Sequence, residues 1–238
     1  MTYATVYGSP GARVRFLGLA DIYWPFLAMI FLAGWFLQAA LPVAIPRWAS
    51  GAALASLAIA AWFASDRCSR RFGNYLKGAY GEEIVARELA VLPAGWTIFH
   101  GVPRPGLDPV RGGADYDHVV LGPCGLVVVE TKNWSGPLRI ENGTVSIVGV
   151  RAVRSPVVQA RREAAELARS LRGLLPEGLP VLGLVCFASD GLEGDGADID
   201  GTPVCNVRVL RERLLALPAA PIDDELRARL VSNLLARR

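Results

Sequence analysis

Between Ile22 and Ala64 the chain carries a single charge, Arg47. The first part, IYWPFLAMIFLAGWFLQAALPVAI from Ile22 to Ile45, has none, and neither does WASGAALASLAIAAWFA from Trp48 to Ala64. A membrane-crossing helix needs about 20 apolar residues, with roughly 17 as the lower limit. The first run fits and the second just reaches it. Only Pro46 and Arg47 separate them, so the pair reads as a tight helical hairpin. Trp24, Trp48 and Trp62 lie near the run ends, where amphipathic rings favour the interface. Gly51 and Ala55 form a small-xxx-small pair that lets two helices approach. Arg13 and Arg15 precede the first run, and Arg67, Arg70, Arg71 and Lys77 follow the second. The positive-inside bias then places both ends in the cytoplasm. A cleaved signal peptide is the poorer reading, because the first run exceeds an h-region and a second follows at once. The expectation is a multi-pass protein of the cell membrane with the bilayer as partner. Residues 1–18 form a cytoplasmic tail, 19–66 two transmembrane helices and 67–77 a basic linker.

Mean hydropathy is +0.33 although 20% of residues are charged, which implies two regimes in one chain. The net charge of +3 and pI near 8.8 permit an anionic partner without requiring one. Four cysteines without a CxxC and only two histidines argue against a structural zinc site. Scattered cysteines in a chain of this size fit a reducing compartment.

The second regime alternates helix and strand. Gly78–Leu92 has helical spacing at Val85, Leu89 and Leu92, and Trp96–His100 is a short strand. Residues 101–114 are rich in Gly and Pro and read as a loop. DYDHVVLGPCGLVVVETKNW, Asp115 to Trp134, is a β-hairpin about a Gly-Pro-Cys-Gly turn. Strands follow at 138–140 and 144–150. Ser155 can cap a helix to Leu175, with Pro156 in its first turn. Val181–Ala188 reads as a central strand covered on both faces. A strand at 204–210 and helices at 211–217 and 223–237 complete a mixed α/β sheet flanked by helices. The domain spans 78–190, and 191–238 is an extension packing on it.

The hairpin carries charge where core is expected. A symmetric turn at Gly122–Gly125 places Asp117 opposite Glu130 and Asp115 opposite Lys132, all on one face. Carboxylates about 5 Å apart repel unless something neutralises them. Hard oxygen ligands suit Mg2+ or Mn2+. An adjacent ammonium can hold a water or steady developing phosphate charge, so the set suits metal-assisted phosphodiester cleavage. The alternative is a salt-bridge network in which Lys132 pairs with Asp115 or Glu130 and no metal is needed. His118 points away from Asp117 and reads as structural.

D-x-D-H, then G-x-x-x-V-E-T-K-N-W-x-G, with G-x-x-G-E upstream, resembles the nuclease-related (NERD) domain. That family is grouped with the PD-(D/E)xK nucleases, which include restriction endonucleases. The resemblance covers roughly Gly78 to Ala188. It implies a restriction-endonuclease-like fold in which Asp117 and Glu130 bind metal and Lys132 is the catalytic lysine. Glu82 matches the family's helical glutamate, and Gln159 a glutamine at the start of the helix after the core sheet. An acid in a first helical turn also suits the dipole without chemistry, and Gln159 lies off its helix's apolar stripe. Asp115 reads as a supporting acid or as the partner of Lys132. Arg154, Arg161 and Arg162 line a flank that is either solvated or a phosphate-binding surface. The functional expectation is Mg2+-dependent phosphodiester hydrolysis of DNA. The rival is a non-catalytic module that binds nucleic acid or protein at the membrane.

Overall fold

The computed structural model describes residues 3–11, 28–36, 47–106, 115–141, 143–149, 155–220 and 222–237. The chain divides into two compact units, one of residues 13–77 and one of residues 1–12 with 78–238.

In the first unit, residues 28–36 are helical. Ile30, Phe31, Trp35 and Phe36 are exposed there, as are Trp48 and Ile59 further on. Among the described residues no helix is long and apolar enough to cross a membrane. The expected two-span hairpin is therefore not found, and most of its first run lies outside the described residues. Its second run opens a single helix, α1, Arg47–Ala90. Residues 67–77, expected as a linker, are the middle of that helix. No Pro or Gly pair interrupts the segment, and its Arg, Lys and Leu residues are good helix formers.

Among the described residues, the second unit is built on a sheet of seven strands: β1 (Thr5–Tyr7), β2 (Thr97–Pro103), β3 (Asp115–Gly122), β4 (Gly125–Lys132), β7 (Val181–Phe187), β9 (Thr202–Asn206) and β8 (Gly196–Ile199), in that spatial order. β2–β3–β4 is an antiparallel meander, and β7 and β9 follow parallel to β4. β8 closes one edge antiparallel to β9, and β1 closes the other parallel to β2. β5 (Leu138–Glu141) and β6 (Thr144–Ile147), expected as strands of the main sheet, form a separate two-stranded hairpin.

Both faces of the sheet are covered. Val85 and Leu89 of α1 pack with Ile98, Val120, Val127, Leu184 and Cys205 on one face. Leu210 and Leu214 of α3 (Leu210–Leu215) join them. The other face meets α2 (Pro156–Ser170) through Ala164 and Leu167, and α4 (Asp224–Ala236) through Leu230 and Leu234. Burial on both sides explains the near-continuous apolar runs of β4 and β7. Ser155 caps α2 by accepting the Val158 N–H, and Pro156 opens its first turn. Gly183 lets α2 sit tight on β7, since a Cβ there would lie 2.6 Å from the Ala160 carbonyl oxygen. Cys124, Cys186 and Cys205 are buried and free.

Candidate active site

The β3/β4 ladder runs from Gly122↔Gly125 through Leu121↔Leu126 to His118↔Val129, the register that a symmetric turn predicts. It ends there. Asp117 and Glu130, expected as the next direct pair, are not one. The Thr131 N–H donates instead to the Asp117 carboxylate at 2.8 Å. Asp115, expected opposite Lys132, pairs with Pro103 of β2. β4 meanwhile stays in register with β7 as far as Lys132↔Phe187.

Gly101 lies beside the break. It lies opposite Asp117, between the pairs His100↔His118 and Val102↔Tyr116, with φ at +62°. A left-handed residue interrupts the pleat. Phe99 and Val102, which strict alternation would separate, share one core cluster, as do Val119 and Tyr116. The backbone irregularity therefore falls on the aspartate that the sequence singles out.

Glu130 is 4% exposed, and the Lys132 ammonium donates directly to its Oε1. Burial works against the charge on Lys132, but the field and hydrogen bond of Glu130 outweigh it and hold its pKa above the usual value. Lys132 is therefore an ammonium and cannot serve as a base here. It also donates to Gln159 Oε1 at 3.1 Å. The Gln159 amide in turn donates to Glu163 Oε1 at 3.1 Å. Glu163 sits one helical turn on, and burial, the Glu130 charge and a hydrogen bond to Glu130 push it up to about 8. Two carboxyl groups hydrogen-bond only when one is protonated. Arg104 donates to Glu163 at 3.0 Å and to Glu166, and lies over the Tyr116 ring.

Glu82 approaches from α1. Burial and the charges of Glu130 and Asp115 raise it to about 7, opposed by the hydrogen bond it accepts from the Gly11 N–H at 2.9 Å. Asp117 is raised well above its usual value by burial and by Glu130 and Glu82, against Lys132 and the Thr131 N–H. Glu82, Asp117 and Glu130 thus share one field, with Asp115 beside it.

His118 is fully buried. Its Nδ1 lies 2.7 Å from His100 Nδ1 and its Nε2 3.1 Å from Thr131 Oγ1. Burial and His100 hold it well below its usual pKa, so it is neutral. Of the arginines, Arg161 pairs with Asp200 at 3.6 Å and Arg162 with Glu166 at 3.6 Å. Arg154 lies outside the described residues. The residues not anticipated are Glu163, Arg104, Glu166 and Gly11. Glu163 had a signal, four residues after Gln159 on a helix; Arg104 and Gly11 had none.

These are the elements of a sheet split at one end by acids, with a lysine between them. Residues 77–188 match the family model described as NERD, nuclease-related domain. The match covers just under half of the chain and supports a nuclease-related domain there. No curated protein and no solved structure matches. The seven-stranded mixed sheet flanked by helices fits a restriction-endonuclease-like fold.

Among the described residues no three His, Cys, Asp or Glu side chains converge closely enough to hold a metal ion as they stand. The chemistry of the donor set nonetheless fits a hard divalent cation. The carboxylates of the nuclease-related domain are buried together, and Glu82 and Asp117 carry raised pKa values that positive charge would lower.

Proposed function

We propose that the nuclease-related domain hydrolyses phosphodiester bonds of DNA with Mg2+ or Mn2+. The observation that carries this reading is the burial of Glu130 beside the Lys132 ammonium, with Asp117 fixed by the Thr131 N–H at the same end of the β3/β4 hairpin; Glu82 and Asp117 are both held above their usual pKa values there. Groups whose environments conflict in this way cluster at functional sites. Asp117 and Glu130, with Glu82, would hold the cation, which supplies Lewis-acid stabilisation of the phosphoryl oxygens and a more acidic water. Lys132 holds its proton, so its part is to orient the attacking water and stabilise negative charge. The Thr131 N–H aims Asp117, and Gln159 aims Lys132. Asp115 adds field without a defined ligand position. Arg161 and Arg162 are exposed beside Asp200 and Glu166, and each keeps guanidinium donors that could meet phosphate.

Cleavage of labelled single- and double-stranded DNA and RNA by the full chain tests this, with magnesium, manganese or chelator. Metal-dependent cutting lost in Lys132→Ala and Glu130→Ala supports the nuclease. A folded chain that cuts nothing under any metal rejects it. The Lys132–Glu130 ion pair favours a second reading, a non-catalytic module binding nucleic acid or protein, because it neutralises Glu130 without metal.

We also propose that the uncharged stretch from Ile22 to Ala64 anchors the protein in the cell membrane as two spans, with both termini and the domain cytoplasmic. The length of the two runs and the exposed Phe31, Trp35 and Trp48 support it. Release of the full chain from membranes by alkaline carbonate would reject it. A reporter after Arg238 that works only outside the cytoplasm would overturn the orientation.

A further inference from the structure

The buried polar groups do not stop at Gln159. Arg104 Nη1 donates to Glu163 Oε1 at 3.0 Å, the Gln159 amide nitrogen donates to the same oxygen at 3.1 Å, and Lys132 Nζ donates to Gln159 Oε1 at 3.1 Å. Arg104 and Glu163 are 6% and 1% exposed. The chain has a direction. Arginine and lysine only donate, so each must meet an oxygen. A primary amide has one oxygen and one nitrogen. Glu163 takes the nitrogen of Gln159, which leaves the oxygen for Lys132. Were Glu163 absent, the amide could rotate and present its nitrogen to an ammonium, where no hydrogen bond forms. Glu163 is itself fixed by Arg104, which is anchored by Glu166 at the far side.

We propose that Glu163, held by Arg104, is a positioning residue that locks the Gln159 amide so that its carbonyl holds Lys132. The role of Lys132 in hydrolysis rests on the reading above, but the lock itself is a property of the ground state. It contains no metal-ligand step and touches no substrate. Gln159 and Glu163 share one face of α2, and Arg104 reaches them from the end of β2, so the lysine geometry depends on two elements outside its own hairpin.

The sequence makes a direct test practical, because Lys77 and Lys132 are the only lysines in the chain. The full-length protein is treated at neutral pH with the N-hydroxysuccinimide ester of acetic acid. Acetylation of Lys132 is measured against Lys77 by peptide mass spectrometry. Glu163→Ala and Gln159→Leu should each raise the Lys132-to-Lys77 ratio, by roughly tenfold for one lost charged hydrogen bond. The double variant should go no further than Gln159→Leu alone. Glu163→Gln keeps an oxygen for the Gln159 amide and should hold the wild-type ratio. A wild-type ratio in Glu163→Ala, or a Glu163→Gln ratio as high as that of Glu163→Ala, overturns the proposal. If Glu163→Ala does not fold, the comparison of Gln159→Leu with Glu163→Gln decides, and equal ratios overturn it. Magnesium-dependent cleavage is followed in untreated aliquots of the same proteins. If the wild type cuts nothing while the acetylation pattern holds, the nuclease reading fails and the lock stands.

Discussion

Two buried polar networks meet at β4, and they differ in kind. In one, His100, His118 and Thr131 are linked at 2.7 and 3.1 Å, with His118 held neutral. In the other, Glu82, Asp117, Glu130 and Glu163 share one field with the Lys132 ammonium, three of them with raised pKa values. The first network satisfies its groups within the fold. The second has more negative groups than its cations neutralise, and in the absence of metal it compensates by retaining protons. A neutral, paired network contributes to the fold, whereas one with surplus acid costs stability and is ready to take up a cation.

Activity should show the largest contrast. Lys132→Met and Glu130→Gln should each reduce metal-dependent cleavage by about 100-fold or more. Their stabilities should diverge. Lys132→Met leaves Glu130 buried without its cation and lowers Tm. Glu130→Gln removes the charge that raises Asp117, Glu82 and Glu163, and raises Tm without metal. Thermal unfolding in chelator, set beside cleavage assays, checks both. If both variants lose stability, the surplus of acid is not the controlling feature.

In the histidine network, His118→Ala should destabilise by about 2–4 kcal/mol, because it leaves a cavity and strips a partner from His100 and Thr131. Urea unfolding measures it. Cleavage, corrected for the folded fraction, should fall less than in Lys132→Met.

The pH response separates the networks by sign. An acid whose folded pKa exceeds its unfolded value binds more protons when folded, so it favours the fold at low pH and loses that contribution as pH rises. Glu82 moves from 4.5 to about 7 and Glu163 from 4.5 to about 8. Their contribution is complete below pH 4.5 and declines as pH rises through about 7 and 8. The neutral His118 works the other way, because the unfolded chain binds its proton below about pH 6.5 and folding is disfavoured there. Unfolding in chelator from pH 5 to 8 should thus show two opposed trends. Glu82→Gln removes part of the falling one and His118→Phe the rising one. Added magnesium should restore stability mainly at the upper end, where the carboxylates are charged.

The smallest effect belongs to the arginine flank. Arg161→Ala should change stability by no more than about 0.5 kcal/mol, since its ion pair is exposed. If the flank binds backbone phosphate, the same variant reduces the salt dependence of DNA binding by about one counterion. Fluorescence anisotropy across a salt series reads it, and an unchanged slope removes Arg161 from the interface.

Much of the domain was legible in sequence because its signals are local. Alternation and a four-residue turn fix the β3/β4 register through His118↔Val129. Ser155, Pro156 and the stripe on α2 mark that helix. What was not legible depends on partners far away in sequence. Gly101 breaks the pleat opposite Asp117, but its φ is not written in the loop composition around it. Thr5–Tyr7 has no strand signal strong enough to detach it from a tail, and it becomes a strand by pairing with β2. Residues 67–77 read as a linker because they are polar, but polarity does not end a helix that lacks a breaker. For Gln159, whose position off the apolar stripe suggested solvent, the structure supplies a partner from strand β4.

The edge strand β1 also bears on the order in which the domain is completed. Thr5 pairs with Thr97, 92 residues later, and Gly11 beyond it supplies the N–H that Glu82 accepts. At roughly 5–20 residues per second of synthesis, the segment around Thr5 exists for about 5–20 s before its partner strand is made. Glu82 lacks that N–H until the segment docks. A fusion that delays docking of residues 3–11 would therefore leave a fully synthesised chain with its helical acid unanchored. The nascent protein would acquire its sheet before it acquired a finished site.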